Sequence, residues 1–339
     1  MILVTGGTGL VGSHLLYKLA LNTDRIRAIY RENSNLNAVK NVFSYYSINS
    51  EELFNKIEWV KADITDILEL KNAFENITKV YHCAALISFD PRDYEKMYRI
   101  NIEGTTNIVN FCIDNKVSKL CFVSSIATLD KSVNSDIINE CCEWVSNKNK
   151  SDYAITKHGG EMEVWRASQE GVEVIIINPG VILGAGFWNL GTGELFSKIN
   201  KGFNFYSEGI TGFVTVNDVV RSMINLMDSS IKNDQFVLVA ENLSFKTVFS
   251  EIAMAFGKKK PKIKITKFMS AVLWRVDKIR SVITNSKPIV TKKSAQSLHT
   301  KSYYSSDKII KESDFKFEKI SDAIKSICEL YKNNLKKEE

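Results

Sequence analysis

The sequence predicts an α/β fold: a doubly wound, mostly parallel sheet with helices on both faces and a smaller, mixed C-terminal lobe. Three observations point there. Short runs of branched apolar residues alternate with helix-like stretches of about 10–20 residues, the rhythm of a parallel sheet. The first run, "MILVTGG", enters a glycine cluster and then the periodic apolar residues of "SHLLYKLAL". With 339 residues, 44% hydrophobic content and four prolines, the chain can bury a large core in two unequal lobes.

The predicted strands after the first are 26–30, 57–61, 79–83, 120–124 and 172–178, separated by helices notably at 64–75, 97–115 and 151–169. After Asn178 the rhythm changes. "NPGVILGAGFWNLGTG" reads as a glycine-rich crossing between lobes, "FVTVNDVVRSMINLM" as a short strand running into a helix, and "QFVLVA" as one more strand. Residues 1–178 with about 213–240 are assigned to a nucleotide-binding domain; 179–212 with about 241–330 form the substrate lobe.

"GGTGLVG" spaces Gly6, Gly9 and Gly12 by three, behind a strand and ahead of an amphipathic helix. Such a turn lets the backbone approach a pyrophosphate, whose charge suits the free N–H groups of a helix N-terminus. The predicted dinucleotide contacts here are Gly6, Thr8, Gly9, Leu10, Val11 and Gly12, in a Rossmann-type arrangement. Where the second strand ends, Arg31 could neutralise a 2′-phosphate, while Glu32 could instead hold ribose hydroxyls. NADP is preferred to NAD on that basis, with the register of the strand end left to decide. Asp63 is placed to accept from an adenine amino group, beside Ile64; its plainer reading is a cap for helix 64–75. In "HCAA", small Ala84 and Ala85 let the backbone lie against the cofactor.

The fifth strand ends in "CFVSSIATLD", so hydroxyls emerge at the edge where open parallel sheets bind ligands. One connection later, "SDYAITKHGG" sets Tyr153 and Lys157 one above the other on a helix. A free phenol near pKa 10 is a poor base at neutral pH, and a neighbouring ammonium favours its ionised form. Ser125 is expected to bind a substrate oxygen, Tyr153 to exchange its proton, and Lys157 to hold the phenolate and the nicotinamide ribose. Each residue taken singly has a bland reading as a cap or surface pair. Phe89, Phe187 and Trp188 are candidate walls of an apolar pocket, or else core aromatics.

The net charge of +6 is uneven: residues 240–339 carry 22 Lys/Arg against 11 Asp/Glu. "GKKKPKIKITKF" holds six lysines in twelve positions, read as a solvated face and not a nucleic-acid surface, since no interleaved aromatics accompany it. The start resembles no signal peptide and no run is long enough to span a bilayer. Six cysteines without CxxC and four histidines argue against a metal or disulfide scaffold. The expectation is a cytoplasmic enzyme with no membrane partner.

These motifs resemble the extended short-chain dehydrogenases/reductases, the group of nucleotide-sugar epimerases and dehydratases, dihydroflavonol reductases and 3β-hydroxysteroid dehydrogenases. "GGTGLVG" stands for the family's glycine motif, "SSIATLD" for its serine motif and "YAITK" for its YxxxK. The likeness implies Ser125, Tyr153 and Lys157 as a catalytic trio, supported by Asn101 of "YRINIEGTTNIV". It places Asn178, Gly180 and Val181 against the cofactor, with Asn178 where the family usually has arginine. It further implies a small carbonyl or alcohol substrate and a homodimer through helices 97–115 and 151–169. The arginine-bearing strand end and Leu129–Asp130, where sugar epimerases commonly have Tyr-Gly, point to the reductase branch. Ala127 and Thr128 stand where a dehydratase would carry an Asp-Glu pair. The alternatives are an epimerase or dehydratase with tightly bound NAD, or an inactive nucleotide-binding protein.

Overall fold

A computed structural model describes residues 1–131, 135–142, 144–145, 150–284, 286–288 and 290–338. Seven strands form the main sheet: β1 (Ile2–Thr5), β2 (Ile26–Tyr30), β3 (Ile57–Lys61), β4 (Lys79–His82), β5 (Lys119–Val123), β6 (Glu173–Pro179) and β7 (Asp234–Leu238). Their spatial order is β7-β6-β5-β4-β1-β2-β3, and every pairing is parallel. The chain winds outward from β1 to β3, then returns to lay β4 on the other side of β1. That reversal opens a crevice at the carboxyl ends of β1 and β4, where such sheets take ligands.

Side-chain alternation explains why the sheet is buried on both faces. Val4, Tyr81, Cys121, Ile175 and Ile177 pack on one face with Leu15 and Leu16. Their neighbours Leu3, Val80, Leu120, Phe122, Val174 and Ile176 pack on the other with Ile108 and Val164. Helix α1 (Leu10–Ala20) follows the glycine turn, and helix α2 (Asp152–Gln169) lies on the second face, capped by Ser151, whose side chain accepts from the Ala154 N–H.

A three-stranded sheet, Glu241–Ser244 with Ile210–Thr215 and Val181–Leu183, begins the remainder. The predicted strand-then-helix after residue 210 therefore splits. Its strand joins the small sheet, whereas the helix Val216–Asp228 packs Val219, Val220 and Met223 into the first core face. A separate core unites Phe196, Phe213, Ile252, Ile324 and Tyr331.

Candidate functional site

Gly6 has φ +67°, and a Cβ there would lie 2.6 Å from the Ala84 nitrogen. A Cβ on Gly12 would meet the Gly6 oxygen at 2.2 Å. These two glycines let the turn fold onto β4 and α1 onto the turn. Gly9 differs. Its Cβ would find only the Gly6 oxygen at 3.4 Å, an ordinary contact, so nothing within the fold requires a glycine there. Gly9 is the N-cap of α1 and offers no side chain to it, leaving the first N–H groups of Leu10 and Val11 without a side-chain partner. An exposed cradle without a side chain, over unpaired helix donors, fits a pyrophosphate. Thr8 sits beside it, 3.5 Å from Ser34.

On the adenosine side, Arg31 and Glu32 lie just beyond β2, both exposed. Glu32 is engaged by Lys61 at 3.0 Å, while Arg31 makes no ion pair among the described residues. Asp63 is half-buried, accepts from the Thr65 N–H and hydroxyl, and forms a local turn. The cap of the following helix is Asp66, which accepts from Leu68 and Glu69. The cap reading of Asp63 thus fails by three residues, because the turn intervenes. Ile64 is buried, and its carbonyl accepts from Asn107. Ala84 and Ala85 follow β4 at the crevice; the Ala84 N–H is held by the Thr5 hydroxyl at 3.2 Å.

Ser125 follows β5 by two residues. Its hydroxyl oxygen accepts from Ala127, closing a short turn, and the side chain lies near the Tyr153 phenol, whose ionised form it favours. Burial pushes the Tyr153 phenol up to about 12, opposed only in part by Ser125. Lys157 donates to the Val123 carbonyl at 2.8 Å and lies over the Phe122 ring at 4.1 Å. Burial draws its pKa down to about 7, while Glu161 and Cys83 pull it back up. Burial sets the phenol's state, and Lys157, whose amine donates to the Val123 carbonyl, is not among the groups that shift it. Protonated Tyr153 is suited to donate.

Asn101 lies in a π-helical segment, Arg99–Glu103, and is buried. It accepts from the Leu86 N–H at 2.7 Å, donates to the Leu86 carbonyl at 2.9 Å, and donates to Thr156 at 3.0 Å. One amide thus clamps the segment that follows β4 to the helix of Tyr153. A widened helical turn of this kind recurs at functional sites.

Glu161 escapes a reading of sequence alone. Four residues beyond Lys157 on α2, it is buried and accepts from Ser124 at 2.5 Å, Thr128 at 3.0 Å, Asn178 at 3.2 Å and Gln235 at 3.0 Å. Asn178 also donates to the Ser125 carbonyl at 3.1 Å. One carboxylate therefore ties the end of β5, β6, β7 and α2 together. The only sequence signal is the i, i+4 continuation Tyr153–Lys157–Glu161. Asn178 belongs to this network, while Gly180 closes on Gly212, whose oxygen would be 2.5 Å from an added Cβ. Val181 begins the strand paired to Phe213. Of the three aromatic candidates, Phe89 is exposed, Phe187 is half-buried, and Trp188 packs into a core against Tyr331 at 4.8 Å.

Residues 4–238 match the NAD-binding family described as "Male sterility protein". A curated relative, a putative dihydroflavonol 4-reductase of Synechocystis, is 23% identical over 98% of this chain and 94% of its own. A UDP-glucose 4-epimerase of Vibrio cholerae is 28% identical over 76% of each chain. The solved UDP-glucose 4-epimerase of Thermotoga maritima, with UDP-glucose, superposes with a TM-score of 0.78 over 98% of this chain and 99% of its own; at 18% identity it speaks to the fold. Glycine turn, Ser125–Tyr153 pair and family match converge: the chain belongs to this NAD-binding family, within the epimerase/dehydratase superfamily, as an enzyme of the NAD(P)-dependent oxidoreductase/epimerase type.

Proposed function

We propose that the enzyme interconverts an alcohol and a carbonyl on a small molecule, with Tyr153 exchanging the proton at oxygen. The observation that carries this is the Ser125 side chain set near enough to Tyr153, beyond the carboxyl end of β5, to favour the ionised phenol against the effect of burial. The dinucleotide, when bound, supplies or accepts hydride. Gly6, Gly9 and Gly12 with the α1 N-terminus would hold its pyrophosphate, and Lys157 its ribose. Tyr153, kept protonated by burial, donates to the oxygen of a carbonyl as negative charge develops there. Ser125 bonds the same oxygen. In the reverse direction the phenolate, stabilised by Ser125, takes the proton back.

Two cycles use this constellation. In a closed cycle the same substrate gives up and recovers hydride and NAD stays bound, as expected of a sugar-nucleotide epimerase or dehydratase. In an open cycle a ketone or aldehyde is reduced and the dinucleotide leaves. The relatives support the closed cycle more broadly, the epimerase having the higher identity of the two named. The reductase reading preferred on sequence rests on narrower ground: a nearly full-length relative and an unpaired Arg31. Mass analysis of cofactor released on denaturing the purified protein separates them. Stoichiometric NAD supports the closed cycle; an empty site binding NADPH more tightly than NADH supports the open one. Near-native turnover by Tyr153→Phe would sink both.

A further inference from the structure

Helix α3 (Lys267–Ile283) has its amphipathicity inverted. Its only fully buried residues are Ser270 and Ser281. Phe268, Val272, Val276, Ile279 and Ile283 are instead 77%, 42%, 58%, 61% and 77% exposed. At 3.6 residues per turn these five fall within about 80° of arc, a continuous outward stripe. Soluble proteins seldom leave such a stripe uncovered. Arg275 and Lys278 lie along one edge of it, both exposed, and the helix's one acidic residue, Asp277, is turned inward to accept from the Val290 N–H and from Arg280. The inner side is pinned to the body: Ser270 bonds His299 at 2.9 Å, and the segment after α3 is held where Arg92 donates to the Ser286 carbonyl at 2.8 Å.

The lysine run enters this helix directly. Lys258, Lys259, Lys260, Lys262 and Lys267 are exposed, and none is in an ion pair among the described residues. Lys267 sits in the first turn, where a cation works against the helix dipole, so stability does not explain it. The apolar stripe, widened by exposed Leu273 and Val282, has cations as its charged neighbours and so a natural complement in a surface with an apolar layer beneath anionic headgroups. A nucleic acid would use the lysines and leave the stripe bare.

We propose that α3 and the lysine run ahead of it dock the protein on an anionic lipid surface, with the stripe buried among acyl chains and the lysines at headgroup level. No helix among the described residues is long and apolar enough to cross a membrane, so the contact is peripheral. Cosedimentation of the full chain with phosphatidylcholine vesicles, with and without phosphatidylglycerol, tests this. Binding is expected only with phosphatidylglycerol and should weaken as salt rises. Val276→Glu with Ile279→Glu should cut it at least tenfold without lowering the melting temperature, since both positions are exposed. Lys258→Glu with Lys259→Glu and Lys260→Glu should cut it and flatten its salt dependence. Failure of the native chain to bind either vesicle overturns the proposal. So does vesicle binding that survives the paired glutamates, self-association that they abolish in the absence of vesicle binding, or binding of duplex DNA that persists in their presence and replaces vesicle binding.

Discussion

Tyr153 and Lys157 are separated by one helical turn and by opposite responses to burial: the phenol is held protonated and the amine is pushed towards neutrality. Tyr153→Phe should lower turnover about 10²–10⁴-fold, the range for a lost proton donor, while dinucleotide affinity measured by titration stays near native. The lysine carries a stability signature of its own. Its folded pKa of about 7 lies below the unfolded value, so the folded state resists charging. That penalty is complete below about pH 7 and disappears as pH rises towards about 10.4, where the unfolded lysine also loses its proton. Lys157→Met should therefore gain melting temperature relative to the native chain more at mildly acidic than at alkaline pH; an equal difference at both would remove the buried charge from consideration. Glu161 raises the pKa of Lys157. Glu161→Gln should move the Lys157 limb of the pH–rate profile to lower pH and reduce kcat more than it raises KM. Loss of stability with an unmoved profile would leave Glu161 a purely structural hub. The placement of Ser125 beyond a strand end and of Tyr153 and Lys157 on one helix is legible in sequence, because it depends on spacing within one helix and one strand end. Glu161 is not, because a glutamate four residues after a lysine reads equally as an exposed helix pair. Only the arrival of β6 and β7, through Asn178 and Gln235, makes it a buried acceptor.

Among the elements, the glycine turn offers a clean separation of folding from binding. Gly12→Ala forces a Cβ to 2.2 Å from a backbone oxygen and should lower the melting temperature outright. Gly9→Ala, at φ −100° and with its nearest neighbour at 3.4 Å, should fold normally and lose dinucleotide affinity. Equal melting temperatures for the two variants would contradict this division. The strands of the main sheet are legible because inward and outward residues are both apolar, a pattern that only a sheet covered twice can bury. Helix α3 is not legible in this way. Apolar residues at helical spacing are expected to face a core, and nothing local announces that two serines face inward instead. The crossing after Asn178 is likewise hidden: Gly180 and Gly212 meet through the pairing of strands 32 residues apart in register, not through neighbouring sequence.

For the whole molecule, the topological reversal between β1 and β4 brings the glycine turn, the Asn101 clamp and the Ser125–Tyr153 pair to one edge of a sheet. On the reading proposed above, the choice of dinucleotide falls to Arg31 and Glu32 at its periphery. Arg31→Ala should weaken NADPH roughly ten- to hundredfold, the worth of a charge-assisted contact, and leave NADH nearly unchanged. Equal loss of both would reassign Arg31 to adenine stacking, and a native preference for NADH would favour Glu32 once freed from Lys61. All of this depends on the crevice taking a nicotinamide dinucleotide, which calorimetric titration of the cofactor-stripped native chain with NADH and NADPH tests most directly. One site per chain for at least one of them, weakened by Gly9→Ala at an unchanged melting temperature, is the expected result. Absence of binding of either dinucleotide to the folded native chain would contradict it.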